Sequence, residues 1–363
     1  MRIGVLKTFY DLDRMIGSQP PRVGVLLSRV DVGKGREGLY LDQLPELLNS
    51  LADQTRVESI RASTAIEGYE VDADRAQKLV HQLGARVRNR NEREFAGYRD
   101  AIDELMRAEQ RERMSVPFVL HVHRQLYTHT GGGGGQFKRD DNLIASRDKS
   151  GRRVEIFAPP SHTEAEGLTV ELVARYNEAC NRTAAHPLVL LGAFVLDLLA
   201  IHPVADGNGR LARLLTTHEL LRCGYGVAQY VSVEQRIWET KNAYYEALRQ
   251  SQVGWHETEH DVWPWIEYLV GTFAQSYDSF EAKIAAVRST SGMTKQEITL
   301  RHVRSLPVGR TFRVRDLRAA LPGISDPTFR IALNELKASG EVQVEGAGPG
   351  AVWTRSSPSG AAG

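Results

Sequence analysis

The residues best suited to bind a ligand or to take part in catalysis fall in one short stretch, HPVADGNGRLAR, from His202 to Arg213. Gly207 and Gly209 flank Asn208 there, and glycines allow consecutive backbone N–H groups to point into one concavity. A helix predicted to begin near Arg210 adds its positive N-terminal end at the same point. The stretch therefore predicts a binding site for an anion such as a phosphate group.

Four side chains of this stretch could act on such an anion. Arg210 and Arg213 are three residues apart, so they share a helix face and offer two guanidinium groups. Asp206 supplies the hard oxygen that suits Mg²⁺ bridging phosphate oxygens. His202, with an unperturbed pKa of ~6.5, suits a general base near neutral pH. Each residue alone is more typical of a helix cap or a tight turn, but the combined spacing favours phosphate chemistry.

The stretch resembles the signature of Fic-domain proteins, HxFx(D/E)GNGRxxR, at every position except one, because Val204 stands where the family has phenylalanine. That phenylalanine is an apolar core anchor, so the change concerns packing and not a chemical group. Segment 142–157, predicted as a β-hairpin, is similar to the family's flap, which lays a target segment against the site by adding a strand. The resemblance covers about residues 41–277 and implies AMP transfer from ATP to a hydroxyl of a protein.

Carried onto this sequence, the resemblance implies a role for each site residue. His202 takes the proton from a tyrosine, serine or threonine hydroxyl as that oxygen attacks the α-phosphate, and Asp206 holds Mg²⁺ against the phosphates. The other implied nucleotide contacts are the backbone of Gly207, Asn208 and Gly209, with Asn208 shaping the turn, Arg210 on the phosphates and Arg213 on the γ-phosphate. Tyr244 or Tyr245 is a weaker candidate for a nucleotide contact, and a core position is the competing interpretation of both.

A second motif concerns regulation. Residues 63–68, STAIEG, match the family's inhibitory pattern (S/T)xxxE(G/N), with Ser63, Glu67 and Gly68 as its defining positions. The resemblance implies that a helix brings Glu67 to Arg213, where a carboxylate competes with the γ-phosphate for the guanidinium group. The competing interpretation is a helix end followed by a C-terminal glycine.

Alternative functions remain open at this level. A related enzyme would remove AMP from a modified protein, with Glu67 orienting a water molecule, and a nucleotide other than ATP could be the substrate. A different class is a DNA-binding regulator whose body senses a nucleotide, with DNA bound by residues 290–355. The partners open to the chain are a protein substrate along the hairpin 142–157, the chain itself as acceptor, and a second copy in a homodimer.

The pattern of apolar residues predicts a mainly α-helical body with one hairpin. We expect an N-terminal helical region at 1–112 and a Fic catalytic core at 113–285. Within the first region, residues 1–38 are typical of an irregular arm or of short elements packed on another part of the chain. The order of elements after Met293 predicts a small winged helix-turn-helix domain at 290–355. Its segment 293–355 has ten Lys or Arg and six Asp or Glu, a net charge of +4. Residues 356–363 have nothing to bury and are expected to be disordered.

Composition excludes several classes of protein. The 363 residues have a formal net charge of +1, so no global field attracts nucleic acid or an anionic membrane. Cys180 and Cys223 are the two cysteines, which excludes a disulfide framework and a cysteine zinc site and favours the cytoplasm. The apolar segment 187–203 carries Asp197 and is shorter than the ~20 residues of a spanning helix, so it predicts a buried core helix and no membrane insertion.

Overall fold

The computed structural model describes residues 7–41, 44–82, 84–107, 110–147, 153–288, 293–321 and 323–357. The predicted hairpin turn at 148–151 and the tail from 358 lie outside the described residues. The chain forms two compact units, one with residues 1–42 and 55–280 and the other with residues 43–54 and 281–363. The domain borders at 112, 285, 290 and 355 stay predictions.

The first unit is built almost entirely of helices, as predicted. Two of these helices, α4 and α13, have residues in both units. The helices in chain order are α1 Lys7–Tyr10, α2 Leu12–Gly17, α3 Pro21–Leu41, α4 Pro45–Ile66, α5 Ala73–His81, α6 Arg90–Arg107, α7 Val116–Leu126, α8 His162–Asn181, α9 Pro187–Ile201, α10 Asn208–Arg222, α11 Val233–Glu239, α12 Lys241–Gln252 and α13 Trp263–Arg288. A 3₁₀ helix at Gly226–Gln229 follows α10, and the hairpin strands are β1 Ile144–Arg147 and β2 Arg153–Phe157.

Helix α9 forms the centre of this unit. Apart from Asp197 it is apolar on every face, and every residue from Leu188 to Ile201 is buried, which confirms the predicted core helix. Pro187 at the first helical position starts it. Helices α8 and α10 pack against α9, and α6 and α7 pack against α10, which is itself buried over most of its length. The loop between α9 and α10 is therefore held between two buried helices.

Two predicted features of the body differ in the structure. In place of an irregular arm or short elements only, the short helices α1 and α2 are followed by the long helix α3, because Pro21 suits a helix start and Gly33 serves a close helix contact. A β-carbon at Gly33 would lie 2.5 Å from Cγ of Tyr277 on α13. The sequence also predicts one helix over 234–251, and the structure has two helices there, α11 and α12, separated at Thr240.

The hairpin strands β1 and β2 pair antiparallel, with Arg147 opposite Arg153 and Ile144 opposite Phe157. A register shift lies between Ile144 and Ala145. Phe157 ends β2 and its ring stacks on His256, with 5.1 Å between ring centroids. The predicted hairpin is confirmed within the described residues, and its two ends are attached to the helical body.

The second unit has its own small core. Its elements after α13 are α14 Lys295–Ser305, β3 Thr311–Phe312, α15 Val314–Ala320, α16 Asp326–Ala338, β4 Val342–Glu345 and β5 Val352–Arg355. The strands form one sheet in the order β3-β5-β4, and residues such as Val303, Phe329 and Leu333 form the core. The winged-helix assignment stays a prediction.

Across the described part of the chain we find no helix with both the length and the hydropathy needed to span a bilayer. Cys180 and Cys223 are both free thiols.

Candidate active site

The predicted anion site lies in the loop between α9 and α10. Helix α9 ends at Ile201, and His202 caps it with a left-handed backbone, φ 52° and ψ 59°. The amide of Asn208 fixes the loop, since its Oδ1 accepts from Val204 N at 3.1 Å and its Nδ2 donates to Val204 O at 2.8 Å. Gly207, with φ 85°, caps the start of α10. Val204 is fully buried, so a smaller apolar residue occupies the core anchor position.

The electrostatics of His202 differ from the sequence expectation. Burial is the main cause that lowers the pKa of His202 to about 4, and the charge of Lys138 acts in the same direction. The carboxylates of Glu67 and Asp206 oppose the shift. Nδ1 lies 3.3 Å from the carbonyl oxygen of Leu199, so we assign the proton of the neutral ring to Nδ1. The free Nε2 is then ready to accept a proton at neutral pH.

This shift predicts how His202 titrates. We expect an NMR titration of its imidazole, assigned by comparison with His202→Ala, to give a midpoint near pH 4. In the unfolded chain the pKa of a histidine is ~6.5. The contribution of the neutral ring to the free energy of unfolding is therefore complete above pH ~6.5, and it is lost as the pH falls from there towards 4. A midpoint above pH 6 in the folded protein would contradict the buried, neutral state.

Asp206 is held by groups that the sequence analysis missed. Its side chain is 60% exposed. Its Oδ1 accepts from Gly207 N at 2.8 Å and its Oδ2 accepts from the Tyr127 hydroxyl at 2.9 Å. Nδ1 of His123 accepts from Gly135 N, so its Nε2 donates to the Asp206 carbonyl at 3.1 Å. His123 and Tyr127 are four residues apart, and this spacing was the available signal that both face the same way.

Arg210 is not free in solvent. Its side chain is 1% exposed, and its guanidinium forms an ion pair with Glu94 of α6, whose side chain is 3% exposed. Nη2 of Arg210 also donates to the Tyr127 hydroxyl at 3.3 Å. In the sequence, Glu94 belongs to the charge run RVRNRNERE, which reads as a solvated face. The arginines of the run are exposed, but both of its glutamates are buried. Glu92 pairs with Arg75, and the partner of Glu94 is 116 residues away along the chain.

Arg213 and residues 63–68 are in contact, as the resemblance implied. Nη2 of Arg213 lies 2.8 Å from Oε1 of Glu67, and Nε donates to the Ser63 hydroxyl at 2.8 Å. The Glu67 charge raises the pKa of Arg213 against the effect of burial. Lys241 of α12 caps the end of α4 by donating to Ile66 O at 2.8 Å. Gly68, with φ 87°, follows at the helix end.

The Glu67 carboxylate also lies at the turn itself. A β-carbon at Gly209 would collide with Oε1 of Glu67 and would lie 3.2 Å from Nη1 of Arg213. Glu67 therefore sits against the first turn of α10, beside the backbone N–H groups that the sequence assigned to an anion. One carboxylate contacts both Arg213 and the glycine turn.

The two tyrosine candidates have different surroundings. Tyr244 is buried among aromatic rings, with centroid distances of 5.4 Å to Trp265 and 5.9 Å to Tyr268. Tyr244 thus has the core position that was the alternative to a nucleotide contact. Tyr245 is 44% exposed, and burial together with the Glu67 charge raises its pKa to about 12. Only Tyr245 of the pair lies at the accessible edge of the site.

Comparison with known proteins bears on this arrangement. Residues 113–220 match the family model of the Fic/DOC family. A protein adenylyltransferase Fic of Drosophila yakuba is 24% identical over 168 residues, which is 46% of this chain and 29% of the fly protein. A protein adenylyltransferase and cysteine protease, IbpA of Histophilus somni, is 27% identical over 126 residues, 34% of this chain and 3% of that protein. The chain thus spans less than a third of these curated relatives.

Solved structures are similar over more of the chain. A Fic family protein from Desulfovibrio desulfuricans has a TM-score of 0.58 and 23% identity, with 93% of this chain and 97% of that chain covered. A Fic domain containing signaling protein from Bacteroides thetaiotaomicron has a TM-score of 0.55 and 21% identity, with 71% and 95% covered. At these identities the similarity concerns the fold. The family match and the signature loop within it show that this chain carries a Fic/DOC domain at residues 113–220.

Proposed function

We propose that this Fic-domain protein transfers AMP from ATP to the hydroxyl of a tyrosine, serine or threonine of a protein, and that Glu67 inhibits the reaction. The observation that carries the proposal is the neutral His202 in the same loop as the Gly207–Gly209 turn. A neutral imidazole can accept a proton, and the backbone N–H groups at the start of α10 can bind phosphate oxygens. The curated relatives named as protein adenylyltransferases support this reaction class.

In the proposed reaction Nε2 of His202 takes the proton of the acceptor hydroxyl as its oxygen attacks the α-phosphorus. The bond from that phosphorus to pyrophosphate breaks in line, and AMP becomes bonded to the acceptor oxygen. The N–H groups of Gly207, Asn208 and Gly209 donate to phosphate oxygens, which gain charge in the transition state. Catalysis then depends on positioning and charge neutralisation.

The two arginines contribute differently to this proposal. The resemblance assigns the γ-phosphate to Arg213, whose guanidinium Glu67 contacts, so Arg213 binds that phosphate once Glu67 has left. Arg210 acts on the phosphates as a fixed positive charge behind the turn, since Glu94 and Tyr127 hold its guanidinium. Tyr245, at the exposed edge, is the tyrosine proposed to contact the nucleotide.

The donor set suits Mg²⁺ bound together with ATP. Asp206 is a largely exposed carboxylate, and the described residues contain no cluster of three His, Cys, Asp or Glu that would enclose a metal ion. Mg²⁺ usually takes one or two carboxylates, substrate phosphates and several waters, so a single Asp206 fits. When bound, the ion would neutralise charge on the phosphates. Tyr127 and His123 would keep Asp206 oriented for it.

Inhibition follows from the two contacts of Glu67. Its carboxylate neutralises Arg213 and lies against Gly209, so it competes with a phosphate for both the guanidinium and the turn. The protein substrate is proposed to add a strand along the hairpin 142–157, where Ile156 is 42% exposed. The chain itself is a second possible acceptor.

The test uses the Glu67→Gly chain with ATP labelled on either the α- or the γ-phosphate, and with the chain and a cell lysate as acceptors. We expect protein labelling from the α-position only, and we expect EDTA to abolish it. Labelling from the γ-position would identify a kinase and contradict the proposal. Absence of labelling together with release of AMP from an AMP-modified protein would replace it by the AMP-removing reaction.

A further inference from the structure

Lys138 is a buried lysine just before the hairpin, and none of the roles above involves its side chain. It is 3% exposed, and burial lowers its pKa. Its ammonium donates to Asn142 Oδ1 at 2.9 Å, to Pro160 O at 2.7 Å and to Ile201 O at 3.4 Å. The ammonium is thus bound to three neutral oxygens, and the nearby charges of Asp141 and Glu164 partly oppose the effect of burial on its pKa.

The backbone of the same residue makes a fourth bond. The Lys138 N–H donates to Pro203 O at 2.9 Å. The carbonyls on both sides of His202 are therefore held by one residue, Ile201 by the ammonium and Pro203 by the amide. Ile201 is the last residue of α9, where the helix carbonyls have no partner within the helix and favour a cation.

His202 needs such support because its backbone is left-handed. A φ of 52° is sparsely populated for a residue with a side chain, and it persists only where the surroundings over-determine it. The His202 N–H donates to Leu198 O at 3.0 Å, which holds the residue from the helix side. Lys138 holds the peptide units that precede and follow it.

Lys138 also connects the hairpin to this loop. Asn142 and Pro160 lie on either side of the strands β1 and β2, so the ammonium bonds both ends of the hairpin. Nδ2 of Asn142 donates to Val204 O at 3.2 Å, which is a second link to the same loop. The hairpin and His202 thus share one hydrogen-bond network centred on Lys138.

We propose that Lys138 is a positioning residue that holds His202 in its left-handed conformation and aligns the hairpin with it. The part that concerns an acceptor on the hairpin rests on the proposed function, whereas the effect on His202 does not. The charged groups that act on His202 are Lys138, Glu67 and Asp206. Removal of Lys138 leaves the two carboxylates, so imidazolium forms more easily.

The test compares Lys138→Met, Lys138→Arg and the control Lys78→Met, an exposed lysine of α5, all in the full chain. The first measurement is the NMR titration of His202. We expect Lys138→Met to raise the His202 midpoint, Lys138→Arg to leave it close to wild type, and Lys78→Met to leave it unchanged. A Lys138→Met protein that folds and titrates at the wild-type midpoint overturns the proposal, also if its thermal stability is reduced.

The second measurement is self-labelling in the Glu67→Gly background with the α-labelled ATP. We expect Lys138→Met to lower kcat about a hundredfold with the KM for ATP unchanged. Displacement of the general base His202 slows the proton transfer but leaves the nucleotide contacts in place. Lys138→Arg should restore part of the loss. An equal change in both parameters, or no change, contradicts the positioning role. If no variant labels but the His202 midpoint still moves, the proposed transferase fails and the effect of Lys138 on His202 stands.

Discussion

Glu67→Gly is expected to raise AMP transfer about a hundredfold. The carboxylate of Glu67 contacts Arg213, which is 4% exposed, and lies against Gly209 at the start of α10. Release of Glu67 from such a buried arginine costs roughly 3 kcal/mol, because the arginine is left with an uncompensated charge. The variant has no such cost, and a difference of that size is roughly a hundredfold in the fraction of competent protein. The measurement is the initial rate of labelling from α-labelled ATP.

Glu70→Gly serves as the matched control, since Glu70 is an exposed carboxylate three residues further along the chain. It should leave the rate of labelling unchanged. Ser63→Ala should raise it by a few-fold, because it removes the hydroxyl that accepts from Arg213 while Glu67 stays in contact. An increase of less than about threefold for Glu67→Gly would count against inhibition by this residue, since a pair worth ~3 kcal/mol could not have so small an effect.

His202→Ala in the Glu67→Gly background is expected to lower the transfer rate by about 10²- to 10⁴-fold. The variant removes the Nε2 that accepts the hydroxyl proton, and no other side chain described here is assigned that task. ATP binding should persist, because the turn at Gly207–Gly209, Arg210 and Arg213 are unchanged. Labelling gives the rate, and calorimetric titration with ATP measures binding in the same protein.

His121→Ala is the control for this second prediction, because His121 is an exposed histidine of α7 that pairs with Glu104. It should label like the parent. If His202→Ala kept more than a tenth of the parent rate, the proton would have another acceptor and His202 would have no role as a general base. If ATP binding were lost as well, the change would have disturbed the turn and not only the proton transfer.

The sequence by itself determined the helical body and the composition of the site loop. An apolar pattern on every face required α9 to be buried, since no exposed face was available for it. The loop residues from His202 to Arg213 are neighbours in the chain, so their spacing alone brought them to one helix start. The contact of Glu67 with Arg213 could also be predicted from the sequence, because the family signature and the inhibitory pattern are each recognisable in a short local sequence.

Only the tertiary structure decided the partners and the protonation of these residues. Glu94 belongs to a charge run that is typical of a solvated face, and the fold pairs it with Arg210. The sequence predicts an irregular arm or short elements around Gly33, which in the fold packs in a helix against Tyr277. The hydrogen bonds from Lys138 to the carbonyls of Ile201 and Pro203, on both sides of His202, join segments more than sixty residues apart. The pKa of His202 is lowered for the same reason, since it depends on burial and on the charge of the distant residue Lys138. Burial and charge pairing depend on which distant segments pack around a group, and neither composition nor local spacing contains that information.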